Sequence, residues 1–120
     1  MAKISGIDFV TLLVSNLETS YHFYTEKVGL TASAERQPNA YAFSMKPSAF
    51  AIRQAPSEAK MNKPGQGIIL WLKTTDAIAL HGDFVKQGIT IVEELRKGPF
   101  GMTFSFLDPD GYILAVHDGG

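Results

Sequence analysis

Thr103-Phe104-Ser105-Phe106-Leu107-Asp108-Pro109-Asp110-Gly111-Tyr112-Ile113-Leu114-Ala115-Val116-His117 reads as two short strands joined by a tight turn. Pro109 presets φ for the first turn position, the aspartates can bond back to local backbone, and Gly111 tolerates positive φ. Apolar and β-branched residues flank the turn on both sides, as a hairpin requires. The stretch ends a second half that repeats the layout of the first. As the closing hairpin of such a fold, its last strand forms one wall of a cleft, and the residue at Ala115 decides what chemistry that cleft supports.

Upstream of the hairpin, residues 67–73 form a dense apolar strand. Thr74-Thr75-Asp76 can cap a helix, Ala77, Leu80, Phe84 and Val85 give that helix an apolar face, and Gly88 stops it. Gly82 within it costs about 1 kcal/mol relative to Ala. Residues 89–95 read as a strand and Lys97-Gly98-Pro99-Phe100-Gly101 as a loop. The first half has the same order. Residues 7–14 are a strand, and Ser15-Asn16-Leu17-Glu18 has capping-box spacing with Ser15 as the cap. Leu17, Tyr21, Tyr24 and Val28 recur at helical spacing before Gly29, which predicts a helix over 17–28. Residues 30–36 form a weaker strand, Gln37-Pro38-Asn39 a turn, 41–45 a strand, Lys46-Pro47-Ser48 a turn and 49–54 a strand.

Residues 55–66 carry two prolines and little apolar content, which marks a connector. Each half therefore reads strand, helix, strand, strand, strand, and equivalent points such as Phe9 and Gly67 lie about 58 residues apart. The expected fold is α+β: two βαβββ modules, about 5–54 and about 67–118, joined by the linker 55–66 within a single domain 1–120. They form a curved mixed sheet around a cleft, with the helices on the outer face.

The 120 residues suffice for one domain with a core. A formal net charge of −1 gives no electrostatic case for nucleic acid or an anionic membrane. The chain has no Cys, so a disulfide framework and a catalytic thiol are both excluded. No apolar run approaches the roughly 20 residues of a membrane span. Met1-Ala2-Lys3-Ile4 leads into strand-like sequence with no signal-peptide core, so a cytoplasmic protein is expected.

This duplicated pattern resembles the vicinal oxygen chelate superfamily of glyoxalase I, extradiol dioxygenases, fosfomycin-resistance enzymes and bleomycin-resistance binding proteins. Val14-Ser15-Asn16-Leu17, Phe23-Tyr24 and Val28-Gly29-Leu30 are similar to its first strand–helix unit, and Gly88-Ile89 to the end of its second helix. Leu107-Asp108-Pro109-Asp110-Gly111-Tyr112 is similar to its closing hairpin and is the most specific piece. The resemblance covers residues 7–117. It implies the fold above, but the superfamily hosts both metal enzymes and metal-free binders, so the site must decide the function.

In the metal-dependent members, a His on the first strand, a His on the first strand of the second module and a Glu on the last strand converge on one divalent ion. The matching positions here are Phe9, Gly67 and Ala115. Some members add a ligand from the fourth strand, but residues 49–54 carry no carboxylate or imidazole. Asp8 is adjacent to Phe9 and points to the opposite face. His117 shares the face of Ala115, yet one His is not a metal site. His22 and His81 fall on the helices and read as surface or boundary residues. No metal, cofactor or catalytic residue is expected.

Parity set from the matched positions gives the concave face: Phe9, Thr11 and Leu13; Tyr41 and Phe43; Phe50 and Ile52; Gly67, Ile69 and Trp71; Thr103 and Ser105; Ile113, Ala115 and His117. The other parity sends Ile68, Leu70, Leu72, Met102, Phe104 and Phe106 toward the helices. The expected ligand-binding residues are Phe9, Thr11, Tyr41, Phe43, Phe50, Ile52, Trp71, Thr103, Ser105, Ala115 and His117. Core packing or a dimer contact explains the same aromatics, and for Phe43 and Phe50 core and pocket weigh equally. An aromatic cleft suits a planar or amphipathic small molecule held by stacking and oriented by a few polar groups.

The resemblance is nearest to the bleomycin-resistance branch. It implies a homodimer that sequesters an aromatic or amphipathic compound such as an antibiotic, and a chain of charge −1 is not specialised for strongly cationic drugs. Three alternatives stand beside this one. The first is a metal-dependent lyase or transferase with non-standard ligands. The second is a metal-free acid–base enzyme using His117 with Tyr41 or Ser105. The third is an interaction module whose aromatic face is all dimer contact.

Overall fold

Two units divide the chain, residues 1–60 and 61–120. The structure is a computed structural model and describes residues 2–4, 9–34, 37–44, 49–55 and 67–119. Of the expected features, the start of the first strand at Ile7 and Asp8, the end of the second at Glu35 and Arg36, Met45, the turn Lys46-Pro47-Ser48 and the connector 56–66 lie outside the described residues.

The first unit runs β1 (Phe9–Val14), α1 (Leu17–His22), a π-helical stretch (Phe23–Lys27), β2 (Thr31–Ala32), β3 (Ala40–Ser44) and β4 (Ala49–Gln54). Its sheet has the order β1-β4-β3-β2, with β1 and β4 parallel and the other pairs antiparallel. The helix starts one residue later than the capping box implies. Asn16 is the cap, its Oδ1 accepting from the Thr19 N–H at 3.1 Å. Glu18 accepts instead from the Tyr41 hydroxyl at 3.1 Å. Gln54, at the end of β4, completes the helix start. Its Oε1 accepts from the Leu17 N–H at 2.9 Å, and its Nε2 donates to the Ser15 carbonyl at 2.7 Å. An orphan helix donor is thus satisfied by the strand beside it. The widened final turn ends at Gly29, whose φ of 95° only glycine adopts readily.

The second unit repeats the plan with β5 (Leu70–Lys73), α2 (Ala77–Lys86), β6 (Ile91–Gly98), β7 (Gly101–Leu107) and β8 (Ile113–His117). Its order, β5-β8-β7-β6, again has one parallel pair, β5 with β8. Asp76 caps α2 by accepting from the Ala79 N–H at 3.0 Å. The closing turn is built on Asp108. Its buried Oδ1 accepts from the N–H groups of Asp110 and Tyr112, both at 2.9 Å.

The strand expected over 67–73 is regular only from Leu70, and the strand expected over 89–95 continues to Gly98. The expected loop 97–101 is a tight hairpin turn, because Lys97 pairs with Met102 and Gly98 with Gly101.

In both units the helix covers one face of the sheet. Leu12, Val14, Phe43, Phe50 and Ile52 are buried with Phe23 and Tyr24 of the π-helical stretch. Phe104, Phe106, Leu114 and Val116 are buried with Phe84 of α2, whose ring meets Phe106 edge-on at 4.9 Å and Phe104 at 5.7 Å. Burial of this kind is the main stabilising term of each unit.

Candidate functional site

The faces that the helices leave uncovered carry the candidate site. In the first unit this face shows Phe9, 56% exposed, with Thr11 and Leu13. Register places Ala51 beside Thr11, Arg53 beside Leu13 and Ala42 beside Ala51. Phe9, Thr11 and Leu13 therefore lie on the side expected for them.

Tyr41, Phe43, Phe50 and Ile52 do not. Val10 pairs with Phe50 and Leu12 with Ile52, and Ile52 pairs with Tyr41. All four consequently face the helix. Tyr24 packs against Phe50 at 5.3 Å and Phe43 at 5.6 Å, and Tyr41 stacks on Tyr21 at 4.1 Å. The expected parity is thus out by one residue on β3 and β4, which sends each side chain to the other face. The core alternative holds for Phe43 and Phe50.

On the second sheet the expected parity holds. Phe104 and Phe106 face the helix, while Trp71, Thr103, Ser105, Ile113, Ala115 and His117 share the uncovered face. Gly67 and Ile69 precede β5 and lie outside the strand. Register sets two cross-strand rows there. One runs Trp71, Ala115, Ser105, Glu93, and the other Lys73, His117, Thr103, Arg96. Both hydroxyls are buried and engaged. Thr103 Oγ1 donates to the Val116 carbonyl at 2.7 Å, and Ser105 Oγ accepts from the Glu93 N–H at 3.1 Å and approaches Glu93 Oε1 at 3.4 Å. Within the second unit, Ser105 is thus committed to Glu93.

His117 is the centre of this face. Its ring lies 6.1 Å from Trp71, edge to face, and 5.9 Å from Phe100. Its Nδ1 is buried and has no hydrogen-bond partner among the described residues. Trp71 and Phe100 remain 54% and 57% exposed. Such half-open rings beside an unsatisfied polar atom are what a ligand surface presents, because buried polar groups are normally paired.

Phe100 was missed by sequence reasoning, which placed it in a loop. It is held by the chain beyond β8. Its carbonyl accepts from the Gly119 N–H at 2.6 Å. Asp118 binds the Met102 N–H through Oδ1 at 2.9 Å and the Ala77 N–H through Oδ2 at 3.0 Å. One carboxylate thus ties the β6–β7 turn to the first residue of α2. Gly101 sits in this clamp at φ 89°, where a Cβ would meet Asp118 Oδ1 at 2.5 Å. The glycines on either side of the turn were the available signal that Phe100 is fixed.

At the positions where the resemblance expects metal donors stand a phenyl ring, a hydrogen and a methyl: Phe9, Gly67 and Ala115. None offers a lone pair, so this donor set does not fit a divalent ion. Among the described residues no three His, Cys, Asp or Glu side chains are grouped to hold one. His22 is exposed and paired with Glu26, and His81 accompanies Glu94 at 3.0 Å, as expected for surface and boundary positions. No helix of the described residues is long and apolar enough to cross a membrane.

The crystal structure of UcmS2 is similar over 98% of this chain and 100% of that one, with 22% identity and a TM-score of 0.80. TnmS3, an antibiotic binding protein from Streptomyces sp. CB03234, is similar over the whole of both chains, with 22% identity and a TM-score of 0.75. Virulence protein STM3117 of Salmonella typhimurium is 28% identical over 94% of this chain and 83% of its own length. Residues 6–116 match the Glyoxalase/Bleomycin resistance protein/Dioxygenase superfamily. With two βαβββ units, a capped helix in each and the Asp108 hairpin closing the second, this chain belongs to that superfamily.

Proposed function

We propose that this protein binds a small aromatic or amphipathic organic molecule, such as an antibiotic, without a metal and without transforming it. The observation that carries the reading is the ring cluster Trp71–His117–Phe100 on the uncovered face of the second sheet, with His117 Nδ1 unpaired among the described residues. Flat rings give large contact area at low entropic cost, and one polar atom among them fixes orientation. The carbon and hydrogen at Phe9, Gly67 and Ala115 support a metal-free site. The antibiotic-binding description of TnmS3 supports the ligand class.

The action is stoichiometric: the compound is held and so withdrawn from solution. On the first sheet, taken by itself, Phe9 and Thr11 are the residues we read as ligand-binding. We read the protein as a cytoplasmic homodimer in which a second copy covers exposed apolar residues such as Leu13 on the first sheet and Ile69 just before β5.

Elemental analysis of the purified protein, beside a fluorescence screen of aromatic antibiotics, tests this. Trp71 is the sole tryptophan, so quenching reports on the site directly. The expected result is no stoichiometric transition ion and saturable quenching by at least one aromatic compound. One tightly held divalent ion per chain, or no quenching across the panel, would overturn it.

A further inference from the structure

We infer that the preferred ligand is an aromatic acid: a flat ring system bearing a carboxylate or similar anion. The inference rests on the binding function above and names the ligand class for that same site.

The row through His117 carries it. Lys73, His117, Thr103 and Arg96 are register partners on four adjacent strands, all on the uncovered face. Strands lie about 4.8 Å apart, so the two cations flank the imidazole at distances their long side chains can span. Both are exposed, and neither makes an ion pair with another described residue. The register shift between Glu93 and Arg96 brings the arginine opposite Thr103. Its guanidinium lies over that end of the row. A Cβ at Gly98 would meet Thr103 Cγ2 at 3.2 Å and Arg96 Nη1 at 3.9 Å.

The adjacent row supplies the ring platform at Trp71 and one carboxylate, Glu93, which is turned to Ser105. The row through His117 itself carries two cations and no carboxylate, although the whole chain carries −1, and Asp118 beyond it has both oxygens engaged by the Met102 and Ala77 N–H groups. A ring stacked between Trp71 and Phe100 would place its substituents over His117. An acidic substituent there gains both flanking cations, whereas a cationic one meets like charge.

Isothermal titration calorimetry with three probes of one shape tests this: 2-naphthoate, its neutral amide and the corresponding naphthylmethylammonium. The expected order is carboxylate tightest by at least tenfold, amide next and ammonium weakest. Affinity for the carboxylate should fall with added salt, and the preference should shrink several-fold in Lys73→Met and Arg96→Met. Equal binding of all three, or tightest binding of the ammonium, overturns the acid class while leaving the binding function standing. No heat from any probe, together with no Trp71 quenching across the antibiotic panel, overturns both. The wild-type comparison decides even if a variant does not fold.

Discussion

The two units share one strand order and one way of covering a sheet, yet their uncovered faces differ. The first shows Phe9, Thr11 and Leu13 beside Ala42, Ala51 and Arg53. The second shows Trp71, Lys73, His117, Arg96 and two buried hydroxyls, with Phe100 clamped at its edge. Under the helices the units are alike: Phe43 and Phe50 pack on Tyr24, and Phe104 and Phe106 on Phe84. The pleat explains how this is possible. Alternate residues of a strand face opposite ways, so one set can hold the fold while the other is free to vary. Stability therefore belongs to the helix-facing set in both units, and the binding proposed above to the uncovered set of the second.

The largest effect that can break this division is in the core. Phe43→Ala and Phe104→Ala should each lower the unfolding free energy by about 3–5 kcal/mol, since both rings are buried against a helix. Chemical denaturation measures it. A near-neutral Phe43→Ala would return that ring to the ligand face and undo the likeness of the two cores.

Next is Asp108→Ala, which strips the acceptor from two N–H groups in the closing turn. A loss of roughly 1–3 kcal/mol is expected, with Asp108→Asn milder because the amide oxygen still accepts. The readout is again denaturation, together with exchange of the Tyr112 amide proton. An Asn variant as weak as the Ala variant would mean that the carboxylate's charge, not its hydrogen bonds, closes the hairpin.

The helix caps sharpen the comparison because both units have one. Asn16→Ala and Asp76→Ala should each cost about 1 kcal/mol. Thermal melts would show similar shifts. A negligible cost at Asn16 would identify the Gln54 contacts as sufficient to start α1, and would raise the same question for Asp118, which binds the first N–H of α2.

Much of this was legible in the sequence. Asp108-Pro109-Asp110-Gly111, Asp76 and Gly29 each act within a few residues of chain, and local chemistry fixed them. The cap slipped by one residue because Ser15 and Asn16 are both good caps, and only backbone geometry selects between them. On β3 and β4 the expected parity is out by one because neither strand holds a matched position from which to count it. The repeat held the answer. Large residues alternate with small ones in Ala40-Tyr41-Ala42-Phe43 as in Thr103-Phe104-Ser105-Phe106, and the large set faces the helix in both. Phe100, Lys73 and Arg96 were not singled out, because their place beside His117 comes from pairing between strands distant in sequence.

The smallest expected change in stability is the one that matters most for function. Phe9 and Trp71 are almost equally exposed, at 56% and 54%, each on the uncovered face of its sheet. Truncating either to Ala should alter the unfolding free energy by only about 0.5 kcal/mol, as for other surface positions. Their effects on ligand should diverge. Trp71→Ala removes the platform beside His117 and should weaken an aromatic ligand at least tenfold by calorimetry, which does not need the lost fluorophore. Phe9→Ala removes a ring with no imidazole partner among the described residues and should weaken it less. If Phe9 proves the costlier loss, binding energy resides in the first unit, and the richer face of the second must be explained as an interface between copies.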